Sequence, residues 1–215
     1  MMAAYDLIIF DCDGVLVDSE PIANRIFAEE VRRLGYPLSD AEARREFPGT
    51  SLAYCINYTE RKFGKKLPED LGLVYRQKSF EAFTRELKAV PGIPDLIHSL
   101  TIPFCVASNG PMHKMEHNLR IVGLYDQFAG KLFSAYEIDR FKPDPGLFLY
   151  AATQMEADPT RCLVIEDSIH GIQAAVAAHM TIWAYSHDHN AAEFSKAGAR
   201  TFRNIPAMQK ALWKN

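Results

Sequence analysis

The segment Leu7-Ile8-Ile9-Phe10-Asp11-Cys12-Asp13-Gly14 decides the fold, because an apolar run ends abruptly in two carboxylates. Four consecutive apolar residues are too few for a helix and predict a strand buried on both faces. In a parallel α/β sheet, the carboxyl ends of the strands form the crevice where ligands bind. Asp11 and Asp13 therefore lie at a predicted ligand-binding edge, where Gly14 permits a tight turn. Taken alone, the same residues also fit a solvated acidic turn or a helix cap.

Other apolar runs predict further strands, and helical patterns separate them. The predicted strands cover residues 103–107, 162–165, 181–185 and, with a weaker pattern, 131–134. The predicted helices cover residues 112–122, 147–155 and 169–178. Strands that alternate with helices predict an α/β fold with a Rossmann-like parallel sheet and right-handed crossovers.

Residues 19–88 interrupt this alternation. Apolar side chains recur there at helical spacing, beginning with Ile22, Ile26 and Val31, and no strand-like run intervenes. The pattern predicts an α-helical domain at 19–88, inserted after the first strand into a core formed by 1–18 plus 89–215.

Composition excludes several classes of protein. The 215 residues carry 24 basic and 27 acidic side chains, a net charge of −3, so nothing favours nucleic acid or an anionic membrane as a partner. No apolar run approaches the length of a membrane-spanning helix, and the first ten residues lack the pattern of a signal peptide. Four cysteines do not make a disulfide framework and predict free thiols in a reducing cytoplasm. Without coiled-coil heptads, we expect a monomer.

A second acidic pair, Glu166-Asp167, follows the predicted strand at 162–165. Its alternative reading is a helix N-cap, supplied by Asp167 or Ser168. If the two strands are neighbours, up to four carboxylates meet in one crevice. An oxygen-only ligand set of this kind suits Mg²⁺.

Two more segments bring the opposite chemistry. Ser108-Asn109-Gly110 follows a predicted strand and precedes a helix, where a hydroxyl, an amide and helix N–H groups can bind phosphate oxygens. Lys142 precedes Pro143-Asp144-Pro145, whose prolines restrict the backbone before the next helix. A lysine held there can balance the negative charge of the crevice. Each segment alone also fits a plain cap or a solvated lysine.

The ordered set Asp-x-Asp, Ser, Lys, Glu-Asp resembles the haloacid dehalogenase-like superfamily of phosphatases and phosphomutases. The stretch from Asp11 to Pro21 is similar to its first motif, Ser108-Asn109-Gly110 to the second and Lys142-Pro143-Asp144-Pro145 to the third. Glu166-Asp167-Ser168 resembles the fourth. The helical insertion resembles the cap domain that this superfamily carries at its first insertion position.

The resemblance implies a site and a mechanism. Asp11 is expected to attack phosphorus and form an aspartyl phosphate, while Asp13 serves as general acid and then as general base. Mg²⁺ and Lys142 are expected to offset the repulsion between carboxylate and phosphate. The implied ligands of Mg²⁺ are the Asp11 carboxylate, the Asp13 carbonyl oxygen, Asp167 and, directly or through water, Glu166. Ser108 and Asn109 are expected to bind the phosphoryl oxygens.

Within the superfamily the sequence resembles the β-phosphoglucomutase-like subgroup, which implies a small phosphate ester as substrate. We expect a sugar phosphate or sugar-acid phosphate, such as 6-phosphogluconate. Many members of the subgroup carry histidine where this chain has Ala23, which favours hydrolysis over a phosphomutase reaction. The remaining alternative, a non-catalytic phospholigand-binding or regulatory protein, predicts loss of site residues that are all present.

Two other motifs suggest different chemistry. His113-Lys114-Met115-Glu116-His117 fits a zinc-protease pattern, but no obvious third ligand accompanies it, and an exposed helix face is the preferred interpretation. Cys55 and Arg61 have the spacing of cysteine phosphatases, yet no glycine lies between them to form a phosphate-binding loop. A helix of the inserted domain is the preferred interpretation.

Overall fold

The computed structural model describes residues 5–47, 50–186 and 190–213. Its centre is a six-stranded sheet in which every neighbouring pair is parallel, with the order β3-β2-β1-β4-β5-β6. The strands are β1 Leu7–Phe10, β2 Phe104–Ser108, β3 Leu132–Ser134, β4 Cys162–Glu166, β5 Thr181–Tyr185 and β6 Arg200–Phe202. The order reverses direction between β1 and β4, which is the topological switch point of a Rossmann-like sheet. The predicted fold class is confirmed.

Helices lie between and after the strands along the chain. The first four are α1 Glu20–Arg33, α2 Asp40–Glu46, α3 Leu52–Phe63 and α4 Leu71–Glu86. The others are α5 Ile93–Ser99, α6 Met112–Ile121, α7 Tyr125–Phe128, α8 Ala135–Ile138, α9 Gly146–Gln154, α10 Ile169–Ala177, α11 Ala191–Lys196 and α12 Ile205–Leu212, with a 3₁₀ turn at Pro159–Arg161. Among the described residues, no helix is both long and apolar enough to span a bilayer.

The predicted strands and the three predicted helices of the sheet region are present, each within one residue at either end. Strand β6 lies outside the predicted strands, because it has three residues and buries only Phe202. Helices α5, α7, α8, α11 and α12 also lie outside the predicted elements, and none of them is longer than eight residues. Their apolar positions are too few to produce a clear helical period.

The chain divides into two compact units. One consists of the chain up to Val17 and from Lys88 onward, and the other is Asp18–Leu87. In the first unit, Val17 forms an antiparallel bridge with Ala89, and the N–H of Val90 donates to the Leu16 carbonyl at 3.0 Å. The chain therefore leaves and re-enters this unit at one point.

Each unit has its own core. In the sheet unit, alternate strand residues such as Ile9, Ala107 and Val164 pack with α9 and α10 into one fully buried cluster. Because side chains alternate along a strand, the remaining positions face the other side of the sheet, where Phe10 contacts the Phe128 ring edge-on. In the helical unit, Phe27 of α1 contacts Phe47, with the ring centroids 5.4 Å apart.

Candidate active site

The predicted site residues of the sheet unit meet at the carboxyl ends of β1, β2 and β4. Asp11 directly follows β1, and its N–H donates to the carbonyl of Ile165 in β4 at 2.9 Å. Ser108 and Glu166, predicted to follow their strands, are each the last residue of the strand. The ladder pairing extends one residue further than the apolar runs, so polar side chains are presented by the strand ends themselves.

Lys142 is the central cation of the site. Its ammonium donates to Asp11 Oδ1 at 2.6 Å, to Glu166 Oε1 at 2.7 Å and to the Ala107 carbonyl at 2.8 Å. These three bonds use the three protons of the group. The side chain is only 3% exposed, and its Nζ lies 4.7 Å from the centre of the Phe148 ring. The lysine is therefore a buried counter-ion that orients Asp11, and the alternative of a solvated surface lysine is wrong.

Burial and neighbouring charges both shift the pKa values of Asp11 and Lys142. Burial raises the pKa of Asp11 above its ordinary value, Lys142 opposes this rise, and Glu166 adds to it. Burial alone lowers the pKa of Lys142, but the carboxylates of Asp11 and Glu166 more than offset that effect, so the net pKa is raised. The lysine accordingly stays protonated between its two carboxylates.

Glu166 is held from both sides. Its Oε2 accepts hydrogen bonds from the N–H of Asp167 at 2.9 Å, and from the N–H and O–H of Ser168 at 3.0 and 2.9 Å. Ser168 also caps α10, because its Oγ accepts from the N–H of Gly171 at 3.1 Å. Of the two predicted candidates for the N-cap, Asp167 and Ser168, Ser168 is the one that caps the helix. Gly171 makes room for the carboxylate, since a Cβ there would lie 1.9 Å from Glu166 Cδ.

Asp167 lies against the turn that follows β1. Gly14 has a left-handed φ of +77°, and a Cβ on it would lie 1.7 Å from Asp167 Oδ2. The requirement for glycine at this position is therefore both conformational and steric. Asp11, Glu166 and Asp167 each offer one carboxylate oxygen, and these atoms all lie within 4.8 Å of one another.

The second strand supplies a polar loop beside Asp11. Ser108 Oγ accepts from the N–H of Gly110 at 3.1 Å, and as the acceptor it keeps its own proton to donate. The Asn109 side chain is used differently from the prediction. Its Oδ1 accepts from the N–H of Lys142 at 2.9 Å, and its Nδ2 donates to the Lys142 carbonyl at 3.3 Å. Asn109 thereby fixes the backbone of the central lysine.

Ser134 and Lys114 also belong to the site, although no sequence motif predicts their roles there. Ser134, fully buried at the end of β3, donates from Oγ to the Gly110 carbonyl at 2.8 Å and so supports the polar loop. Lys114 donates from Nζ to Asp13 Oδ2 at 2.6 Å. Two features of the sequence indicate these residues. Ser134 ends a strand, as Ser108 does. Lys114 lies in the first turn of a helix, where the helix dipole disfavours a cation.

The two competing motifs lie in continuous helices. His113 and His117 belong to α6, and among the described residues neither is part of a group of three possible metal ligands. Cys55 and Arg61 both lie within α3, which leaves no loop between them. Burial raises the pKa of the Cys55 thiol, the opposite of what a thiolate nucleophile needs. All four cysteines are free and buried, as predicted.

Comparison with known proteins gives consistent matches over nearly the whole chain. The family model of haloacid dehalogenase-like hydrolases matches residues 5–179. The chain is 33% identical over 214 residues to the 6-phosphogluconate phosphatase of Escherichia coli strain K12, a match that covers 99% of this chain and 96% of the relative.

Two solved structures are similar in fold and in sequence. A conserved haloacid dehalogenase-like protein of unknown function from Agrobacterium tumefaciens has 34% identity and a TM-score of 0.87, with 97% of this chain and 99% of the other covered. A haloacid dehalogenase family hydrolase from Deinococcus radiodurans, solved with bound phosphate and sodium, has 29% identity and a TM-score of 0.83, with 98% and 96% covered.

Proposed function

Because the chain belongs to the haloacid dehalogenase-like hydrolase family, we propose that it is a Mg²⁺-dependent phosphomonoester hydrolase acting through an aspartyl phosphate on Asp11. The predicted family and the prediction of an enzyme of the phosphatase type are confirmed by these matches. The substrate we propose is a small sugar phosphate or sugar-acid phosphate, such as 6-phosphogluconate. The organic half of the substrate is inferred from the relative alone.

One observation carries the proposal: a buried carboxylate at the switch point is oriented by a fully engaged buried lysine. Lys142 donates a hydrogen bond to Asp11 Oδ1, and we assign the attack on phosphorus to the other oxygen, Oδ2. Stability alone does not explain this lysine, because a buried ion pair seldom stabilises a fold more than apolar side chains of similar volume.

The residues around Asp11 fit a divalent cation. Three carboxyl groups, those of Asp11, Glu166 and Asp167, face the one ammonium group of Lys142, so acidic side chains outnumber the cation at this point. All the donors are oxygens, which Mg²⁺ prefers. We propose that Asp11, Asp167 and the Asp13 carbonyl hold the ion. Both oxygens of Glu166 already accept hydrogen bonds, so we propose that it contributes through water.

The reaction can be described from the chain's own groups. When bound, the ion would neutralise charge on the transferring phosphoryl oxygens. Ser108 donates from its hydroxyl to a phosphoryl oxygen, and we assign the role of Asn109 to its main-chain N–H, because its amide is engaged with Lys142. Asp11 attacks phosphorus while Asp13 protonates the leaving alkoxide. Asp13 then takes a proton from the water that hydrolyses the aspartyl phosphate.

We propose that the helical insertion, predicted at 19–88 and bounded as Asp18–Leu87 in the structure, acts as the cap of this enzyme. We also propose that the protein works as a monomer and resides in a reducing cytoplasm. The cap assignment is supported by the continuous helical unit α1–α4 inserted directly after the β1 turn. The compartment is supported by four free, buried cysteines. The partner we propose is the phosphate ester itself, without nucleic acid or membrane.

The test is phosphate release from a panel of sugar phosphates, sugar-acid phosphates and nucleotides, with Mg²⁺ and with chelator. Asp11→Asn is the blank, and Asp126→Asn, an exposed aspartate in α7, is the matched control. We expect Mg²⁺-dependent release by wild type and by Asp126→Asn alone. Equal release by Asp11→Asn would refute the assignment. Isomerised sugar phosphate without free phosphate would instead indicate a phosphomutase, and no reaction with any ester would indicate a binding protein.

A further inference from the structure

Asp13, the proposed acid and base, has a lysine partner of its own. Lys114 Nζ lies 2.6 Å from Asp13 Oδ2, and each side chain is 30% exposed. Lys142 pairs with Asp11 in the same manner. Each carboxylate of the Asp-x-Asp motif is therefore held by a separate ammonium group, one buried and one at the mouth of the site.

Local structure does not explain a lysine at position 114. It is the third residue of α6, and its N–H donates to the Pro111 carbonyl at 3.0 Å. The positive end of the helix dipole repels a cation in this first turn, so a helix-stabilising role would favour an acidic residue instead. The position is better explained by what the ammonium contacts.

The lysine stem runs beside the polar loop that precedes α6. A Cβ added to Gly110 would lie 3.9 Å from Lys114 Cδ, 3.9 Å from Asp13 Oδ2 and 3.4 Å from Ser108 Oγ. These distances place the Asp13 carboxylate, the lysine stem and the Ser108 hydroxyl around one backbone position. The contact therefore ties Asp13 to the loop that we propose binds the phosphoryl group.

We propose that Lys114 is a positioning residue that holds the Asp13 carboxylate beside the phosphoryl-binding loop. This inference rests on the proposed function. In the first step, Asp13 gives its proton to the bridging oxygen as the P–O bond breaks and the bond from Asp11 to phosphorus forms. In the second, Asp13 takes a proton from the attacking water as that bond breaks. Lys114 keeps its proton throughout and acts only through the orientation of Asp13.

The test compares two esters that differ in their need for a proton. The alkoxide of 6-phosphogluconate must be protonated as it leaves, whereas p-nitrophenolate leaves as a stabilised anion. Lys114→Met keeps the stem and removes the charge, Lys114→Arg restores a charge, and Lys62→Met removes a lysine from an ion pair with Glu42 in the helical unit.

We expect Lys114→Met to lower kcat for 6-phosphogluconate by about 10- to 100-fold, part of the ~10²–10⁴ that general acid–base catalysis supplies. KM should stay within about twofold, because the group acts on proton transfer and not on uniform binding. The rapid burst of p-nitrophenol should keep its rate and amplitude. Lys114→Arg should recover much of kcat, and Lys62→Met should match wild type. Equal slowing of the first cleavage step with both esters, measured in single turnovers, or a change confined to KM, would overturn the proposal.

A second readout separates this inference from the proposed function. If wild type releases phosphate from neither ester, the phosphatase assignment fails. The positioning role is then decided by crystal structures of wild type and Lys114→Met. A carboxylate of Asp13 that turns away from Gly110 in the variant supports the role, and one that keeps its place refutes it.

Discussion

Gly171→Ala tests how tightly the fold specifies the position of Glu166. The new Cβ would lie 1.9 Å from Glu166 Cδ and Oε1, whereas ordinary contact begins at 3.4 Å, so the carboxylate must move by about 1.5 Å. A displacement of this size breaks at least two of its four hydrogen bonds, which come from Lys142, Asp167 and Ser168. At about 1.5 kcal/mol or more for each bond to a charged group, the loss is about 3 kcal/mol.

The substitution also brings a gain, because alanine favours helix over glycine by up to ~1 kcal/mol. We therefore expect Gly171→Ala to lower the free energy of unfolding by about 2 kcal/mol or more. The measurement is urea unfolding followed by circular dichroism. The matched control is Gly72→Ala in the first turn of α4, where the nearest atom to a new Cβ is Leu52 Cδ2 at 3.8 Å. That variant should be as stable as wild type or slightly more so. If Gly171→Ala behaved like Gly72→Ala, the steric argument would be wrong.

Three further substitutions and one treatment probe the same site. Asp13→Asn should lower kcat by about 10²–10⁴ with an unchanged circular dichroism spectrum; normal turnover would sink the acid–base assignment. Lys142→Met leaves Asp11 and Glu166 without their shared cation and should cost about 3–5 kcal/mol in urea unfolding, so wild-type stability would contradict the buried pairing. Ser168→Ala removes the cap of α10 and should lower the free energy of unfolding by about 1–2 kcal/mol, which thermal denaturation can check. Chelation should abolish phosphate release and added Mg²⁺ should restore it; unaltered release in chelator would exclude a metal requirement.

The sequence was sufficient for the parts of the fold that follow from periodicity. Apolar runs predicted the strand ends to within one residue, because burial on both faces disfavours polar side chains before the last residue of a strand. The polar partners were harder to predict. Whether Ser108 or Ser134 faces the site depends on which strands are neighbours, and that pairing is not a local property of the chain.

Side-chain direction limited the prediction of individual roles. The Asn109 amide was expected to face phosphate, yet it bonds to the backbone of a residue 33 positions away. The histidine motif around Lys114 does not predict its ion pair, because the partner Asp13 is 101 positions away. Contacts of this range become visible only once the sheet has brought β1 and β2 together.

The pairing of Val17 with Ala89 also has a consequence for how this chain tolerates change. The bridge holds the two ends of the insertion together, so the insertion is a closed loop with respect to the sheet unit. The entropic cost of such a loop grows only with the logarithm of its length, by about 0.6 kcal/mol for each doubling. An insertion attached in this way can lengthen, shorten or be exchanged for another with little penalty to its host. The junction therefore allows the inserted helical unit to change in length while the sheet and the residues at its strand ends keep their places.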